Sequence, residues 1–391
     1  MFIKKKKTIA IFDIGSSSIG VAIATFSTDP KKTQILPVIS LAKRYQLQIS
    51  EKITFKSFIN IIFTAFDKSA EEISRKKIKI DKVVIFLASP FYLSKTNIIK
   101  KSGDNILVSD TLIKSLIEAK SQSMIKNQPV LYPDLIGDES YVFENNIMQI
   151  KLNDYQTNNP YGKKVKSLSV VNYSALGSKK IATKLKEVII RRLGRLPVDF
   201  HSFTFAAFSV WQEIISSNKR NFMLLDITGE ISDVTVVTDD YLVENVSFPR
   251  GRNYLIRETA KALKTNNEEA LSTLKEYATG NLDEYYKKNL ETVLQPIKKE
   301  WIKSLSEAFT LIMESVLLPE TVYTIGDDVT ARIFALWLEE KELAHFSLVN
   351  KPLVSHFIDE SKWGEYCIDQ SHQKTKDSFL GIETLFCQKN L

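Results

Sequence analysis

The sequence predicts a doubly wound α/β protein made of two similar halves, with a separate module inserted into the first. Three observations predict it. An apolar strand that runs into an acid and a small-residue turn occurs twice: residues 8–23 turn at Asp13, Gly15, Ser16, Ser17 and Ser18, and residues 222–237 turn at Asp226, Gly229, Ser232 and Asp233. A third strand ends at Gly326-Asp327-Asp328, and residues 329–338 continue with apolar positions at helical spacing. Residues 82–173 carry strand and helix signals of their own and interrupt the first half.

Each element has a local reason. Residues 8–12, 19–26 and 36–40 are runs of Ile, Val, Leu and Phe and read as the strands of an antiparallel-edged sheet. Residues 55–74 place Phe58, Ile61, Ile62, Ala65 and Phe66 at helical spacing. A helix is expected over 110–126, an amphipathic helix over 179–193 returns the chain to the core, and residues 203–215, rich in Phe and Ala, read as a core helix. The second half begins at about residue 221. Residues 268–315 read as long charged helices, with Pro296 marking a kink or a boundary. Trp211, Trp301, Trp337 and Trp363 are scattered and read as packing anchors.

The paired turns carry the chemistry. Glycine and serine let backbone N–H groups and hydroxyls come close to an anion. An acid at the strand end would repel bare phosphate unless a divalent cation stood between them, so Asp13 and Asp226 read as a magnesium-side pair. The alternative is that each is a turn carboxylate capping nearby N–H groups; repetition of the motif favours the first reading. Gly326, with Asp328 as a helix cap, could hold a nucleoside against the backbone, or could be an ordinary strand-to-helix link.

In this order and spacing the three pieces resemble the actin-like ATPase superfamily, with its first phosphate loop, second phosphate loop and adenosine loop. Within it, the chain resembles the FtsA and PilM type of bacterial cell division and type IV pilus assembly. Residues 82–93, the helix at 110–126, residues 150–155 and the Asn159-Pro160-Tyr161-Gly162 turn before Val165 carry that narrower likeness. The resemblance implies an actin-like (ribonuclease H-like) duplicated fold with an inserted α+β strand–helix–strand–strand domain. Its divisions would be residues 1–81 and 174–220 for the first half, 82–173 for the interaction domain and 221–391 for the second half. It implies ATP and Mg2+, with Asp13 and Asp226 holding hydrated magnesium, Gly15, Ser16, Ser17, Ser18, Gly229 and Ser232 on the phosphates, and Gly326 at the nucleoside. It further implies a scaffold that links a division or pilus machine to the inner membrane, with self-association as a second kind of contact. The alternative is a degenerate pseudo-ATPase acting only through protein contacts. A sugar or acetate kinase of the same superfamily stands third, because no added catalytic carboxylate is evident.

The chain also departs from that pattern. Thr228, Glu230 and Ile231 stand where a glycine-rich turn is usual, and Asp327, Asp328 and Arg252 stand where further glycines are common. A β-branched residue at positive φ is a genuine outlier, so the second loop is expected to fold differently or to stand farther from a phosphate. Glu230 needs a metal, a lysine or solvent to offset its charge. Weak, magnesium-dependent ATP binding with slow or absent turnover is the expectation.

Composition agrees. With 391 residues, 44% of them hydrophobic, the chain can bury a large core spread over two or three domains. The net charge of +7 is spread out, and the Lys4–Lys7 block has no aromatic interleaving, which argues against a nucleic-acid partner. Two cysteines, Cys367 and Cys387, and four histidines form no ligand or disulfide pattern. The apolar N-terminal stretch is cut by Asp13 and is too short for export, so the expected place is the cytoplasm, with any membrane contact made through partners. The last segment, with Phe379, Leu380, Ile382, Leu385 and Phe386, has an amphipathic look but acidic flanks at Asp377 and Glu383. It is expected to pack on the second half rather than on a membrane.

Overall fold

The computed structural model describes residues 5–28, 35–47, 54–126, 139–214, 220–326, 329–347, 350–373 and 376–390. The first half opens with β1 (Lys5–Ile14), β2 (Ser18–Thr28), β3 (Val38–Gln46), α1 (Phe55–Arg75) and β4 (Lys82–Leu87). The module follows as β5 (Tyr92–Leu107), α2 (Asp110–Lys126), β6 (Ser140–Leu152), β7 (Tyr155–Gln156) and β8 (Lys164–Ser178). The chain returns through α3 (Lys179–Leu193), β9 (Val198–Ser202) and α4 (Phe203–Ile214). The second half comprises β10 (Phe222–Ile227), β11 (Ser232–Thr238), β12 (Tyr241–Phe248), α5 (Arg252–Leu263), α6 (Asn267–Thr279), α7 (Glu284–Met313), β13 (Thr321–Gly326), α8 (Ala331–Trp337) and β14 (Val354–Phe357). Then come α9 (Glu360–Trp363), β15 (Ile368–Asp369) and α10 (Ser378–Lys389).

The duplication is visible in the strand order. One sheet runs β15-β3-β2-β1-β4-β9 and another β12-β11-β10-β13-β14. Apart from β15, each has an antiparallel meander on one side of its central strand and parallel strands on the other. Parallel neighbours need crossover connections, and α1, α7 and the whole module supply them. Central strands buried on both faces read as unbroken apolar runs, as Ile9–Phe12 and Phe222–Leu225 do.

Three expectations need adjusting. Lys82–Leu87 does not open the module: it pairs in parallel with β1 and β9, and Val83 to Leu87 are buried within the first sheet. The module's own sheet, β5-β8-β6-β7, starts at Tyr92 and packs α2 over Ile150, Leu168 and Val170. Of the two readings of Pro296, the boundary falls, because the residue lies inside α7. Leu290, Leu294, Ile297 and Trp301 bury one face on both sides of it, a gain that outweighs the roughly 3 kcal/mol cost of an interior proline.

The C-terminal segment packs back on the core as expected, but chiefly on the first half. Residues 378 to 387 are buried throughout, and Phe386 meets Phe86 edge-on while Phe379 packs at a tilt against Phe203. A helix covered all round is a core helix rather than a surface one. Gly381 is required here because a Cβ would enter the Trp363 ring at 2.7 Å.

The module is joined to the first half by a buried polar knot. The Glu144 carboxylate accepts from Ser202 N at 2.9 Å and from Ser202 Oγ at 2.6 Å, and lies 2.8 Å from His201 Nδ1. The Tyr173 hydroxyl lies 2.8 Å from the same serine. No helix among the described residues is long and apolar enough to cross a membrane.

Candidate functional site

Sheet register sets the first half of the cleft. Asp13 on β1 is opposite Gly20 on β2, and Gly20 is opposite Arg44 on β3. Residues that pair in register share a face, so the Arg44 side chain passes over Gly20 toward Asp13. Its Nη2 reaches Asp13 Oδ2 at 2.7 Å. A Cβ at position 20 would lie 2.9 Å from Arg44 Nη2 and 3.2 Å from Asp13 Cβ, so the glycine keeps this route open.

Arg44 makes further contacts at once. Its Nε and Nη2 donate to the Asp377 carboxylate at 2.6 and 3.0 Å, and its Nη1 donates to Ser18 Oγ at 2.9 Å. The guanidinium also lies 5.0 Å from the centre of the Phe379 ring. Asp377 accepts in turn from Leu380 N and so caps α10. Glu383, in the second turn of that helix, is fully buried, and its carboxylate has no hydrogen-bond partner among the described residues. Burial pushes its pKa well above the usual carboxylate range; the Asp13 charge adds to the push and Arg44 opposes it.

The first turn closes on itself through Gly15 N to Ser18 O at 3.0 Å. It also closes on the second turn. Ser16 Oγ accepts from Glu230 N at 2.9 Å and lies 3.2 Å from Thr228 Oγ1. Ser17 presses on Gly229, where any Cβ would collide with the serine side chain.

The second turn is built without left-handed residues: Thr228, Gly229, Glu230 and Ile231 are absent from the positive-φ positions. Its carbonyls are taken up by α5, with Arg252 N donating to Thr228 O at 2.9 Å and Asn253 N to Gly229 O at 2.7 Å. Thr228 N and Oγ1 both donate to Ile231 O. Glu230 needs no metal, because Arg257 holds its carboxylate with two bonds of 2.9 Å and Asn253 adds one of 2.8 Å. Arg252, in place of an expected glycine, donates to Gln46 at 2.6 Å across the cleft.

Part of the expected set therefore meets. Asp13, Ser16, Ser17, Ser18 and Gly229 converge, joined by Thr228, which was not expected there. Asp226 is buried at the matching strand end, opposite Asp233, and Gly326 ends β13 beside Ile227. Ser232 points elsewhere, donating to Arg250 O at 2.8 Å. Asp327 and Asp328, including the expected helix cap, lie outside the described residues. Asp233 lies among the hydroxyls of Ser89 and Ser247; burial raises its pKa to about 6 while those hydroxyls pull it down.

In this arrangement Mg2+-ATP would require the two turns to part and Arg44 to leave Asp13. Glu230 N, a loop donor suited to phosphate, is spent on Ser16, the space between the turns is filled by Ser17, and a guanidinium stands beside the acid that would face the metal. Sequence reading missed Arg44, Asp377, Glu383, Asn253 and Arg257. The Asp13–Gly20 pairing could have been read from the short turn between β1 and β2, whereas the approach of Arg44 and Asp377 depends on long-range pairing.

No protein-family model matches the chain, and no curated protein matches it either. Solved structures do. A chain of the PilM–PilN type IV pilus biogenesis complex superposes with a TM-score of 0.63 at 14% identity, over 99% of this chain and 98% of that one. The ethanolamine utilization protein EutJ from Carboxydothermus hydrogenoformans gives 0.45 at 13% identity, over 99% and 90%. MreB 5 of Spiroplasma citri bound to AMPPNP gives 0.40 at 10% identity, over 97% and 94%. The chain has the duplicated actin-like ATPase fold, in a PilM-like form.

Proposed function

We propose that this chain is an actin-like protein-interaction scaffold of the PilM kind, working in a pilus-type assembly machine without nucleotide. Likeness over nearly the whole of both chains, inserted module included, supports the scaffold reading and favours pilus assembly over division. The observation that carries the nucleotide-free part is the closure of one turn on the other, Ser16 to Glu230 and Ser17 on Gly229. The partner would be a PilN-like protein, and contact with the inner membrane, from the cytoplasmic side, would be made through that partner.

A second reading keeps ATP and Mg2+, with Asp13, Asp226, Gly15, Ser16, Ser17, Ser18, Gly229 and Gly326 as the binding set. The matched burial of Asp13 and Asp226 at equivalent strand ends favours it, but it requires the turns to part and Arg44 to leave Asp13.

The test is complex formation with a PilN-like protein from the same organism, followed by size-exclusion chromatography and calorimetry with and without Mg2+-ATP. A complex of unchanged affinity in both conditions is the expected result. Absence of a complex would overturn the scaffold reading, and one that forms only with nucleotide would restore the second.

A further inference from the structure

The row Asp13–Gly20–Arg44 and the capping acid of α10 meet at one guanidinium. Arg44 is 9% exposed, and its acidic partners, Asp13 and Asp377, are 3% and 14% exposed. A buried ion pair this well enclosed is costly unless its remaining donors are also satisfied. Here they are: Nε, Nη1 and Nη2 all have acceptors, and the planar face lies on Phe379. A forked, permanently charged donor suits a place where two carboxylates must be held at once.

We propose that Arg44 is the chain's resident cation: its guanidinium takes the place beside Asp13 that this fold would otherwise give to a nucleotide's metal, and by gripping Asp377 it fastens α10 to the first turn. The proposal rests on the nucleotide-free reading above and gives it a physical agent. The charge of Asp13 is then met by a side chain that is always present, and the C-terminal helix becomes part of the site. Gly20 is a positioning residue for that side chain, since any larger residue stands in its path.

The sequence order of the three groups explains why one arginine suffices. Asp13 precedes the first turn, Ser18 follows it, and Asp377 is at the start of the last helix, so a single planar group spans the two ends of the described chain. Lysine carries three donors on a single nitrogen and so cannot make the four bonds that Arg44 spreads over three nitrogens, two to Asp377, one to Asp13 and one to Ser18.

The experiment uses the full chain and three variants: Arg44→Ala, Arg44→Lys and Asp377→Asn. Magnesium chloride, with or without ATP, should leave the wild-type melting temperature unchanged. Arg44→Ala should melt about 5 °C or more below wild type, and methylguanidinium chloride at a non-denaturing concentration should recover part of the loss where potassium chloride at equal ionic strength does not. Arg44→Lys should recover less than half. If Arg44→Ala does not fold, Asp377→Asn keeps the proposal testable: hydrogen exchange should rise over residues 378–389 and 13–18 while α7 stays protected.

Wild-type melting in Arg44→Ala, equal rescue by both salts, or unchanged exchange in Asp377→Asn would overturn the role of Arg44. None of those results touches the partner complex, so the scaffold reading stands or falls separately. Magnesium-dependent stabilisation of the wild type that vanishes in Asp13→Asn would overturn the resident cation directly.

Discussion

In the first half, a row across neighbouring strands reads Asp13, Gly20, Arg44; in the second, the matching row reads Asp226, Asp233, Ser247. The backbone frame is the same, with an antiparallel hairpin feeding a central strand that pairs in parallel on its other side. The charges differ. In the first row a missing side chain lets a cation reach the acid; in the second the middle position is itself an acid, and the outer one is only a hydroxyl. Duplicated architecture thus fixes where a side chain stands and leaves its charge to the local sequence. The first half answers its buried acid with an ion pair, and the second holds a carboxyl, Asp233, whose proton is retained to about pH 6.

The largest expected effect comes from making the rows alike at the middle position. Gly20→Val places methyl groups in the path of Arg44 and against Asp13 Cβ, 3.2 Å from the position of the new Cβ. Separating the pair leaves charge buried without its partner, a loss of about 3–5 kcal/mol. Urea unfolding should show it as a lowered midpoint with little change in slope. A Gly20→Val protein as stable as wild type would mean that Arg44 has another route, and the contrast between the rows would lose its cause.

A smaller effect is expected from Asp233, and it has a pH signature. Its folded pKa of about 6 stands above its ordinary value of 3.8, so between about pH 4 and 6 the folded state binds more proton than the unfolded one. Stability from this group falls as pH rises through that window; the penalty is complete above pH 6 and gone below pH 4. Asp233→Asn should remove the penalty, stabilising the protein by ~1–3 kcal/mol at pH 7.5 and by little at pH 4. Equal stabilisation at both pH values would show that the gain is packing rather than ionisation.

How much of this was legible follows the same division. The central strands, their acids and the paired turns are local and apolar, so the halves could be read from Asp13, Asp226 and the glycines beside them. The turn of the second half was legible as a departure: Thr228, Glu230 and Ile231 ruled out a left-handed glycine loop, and the backbone accordingly avoids positive φ there. What answered the charges was not legible. Arg44, Asn253 and Arg257 reach their acids through register and helix placement, which single-sequence periodicity does not contain. The tail was misplaced for a related reason. Its Phe, Leu and Ile residues speak for burial without naming the surface, and the first half won because Phe86, Phe203 and Arg44, the partner of Asp377, all lie there.

The smallest expected effect concerns the other ion pair of the cleft and sharpens the contrast with Arg44. Glu230 and Arg257 make a forked contact too, yet their side chains are 26% and 22% exposed, against 9% for Arg44 and 3% for Asp13. Solvent competes for such a pair, and the chain entropy needed to hold it offsets much of the attraction, so exposed pairs contribute roughly 0.2–1 kcal/mol. The turn also does not depend on it: Thr228 O and Gly229 O remain bonded to α5 through backbone N–H groups at 2.9 and 2.7 Å. Glu230→Gln should therefore cost less than about 1 kcal/mol and show weaker salt dependence than wild type, with the contact between Ser16 and the second turn intact. A loss as large as that of Gly20→Val would mean that the second turn is held by charge after all, and that the two halves differ less than their rows of side chains suggest.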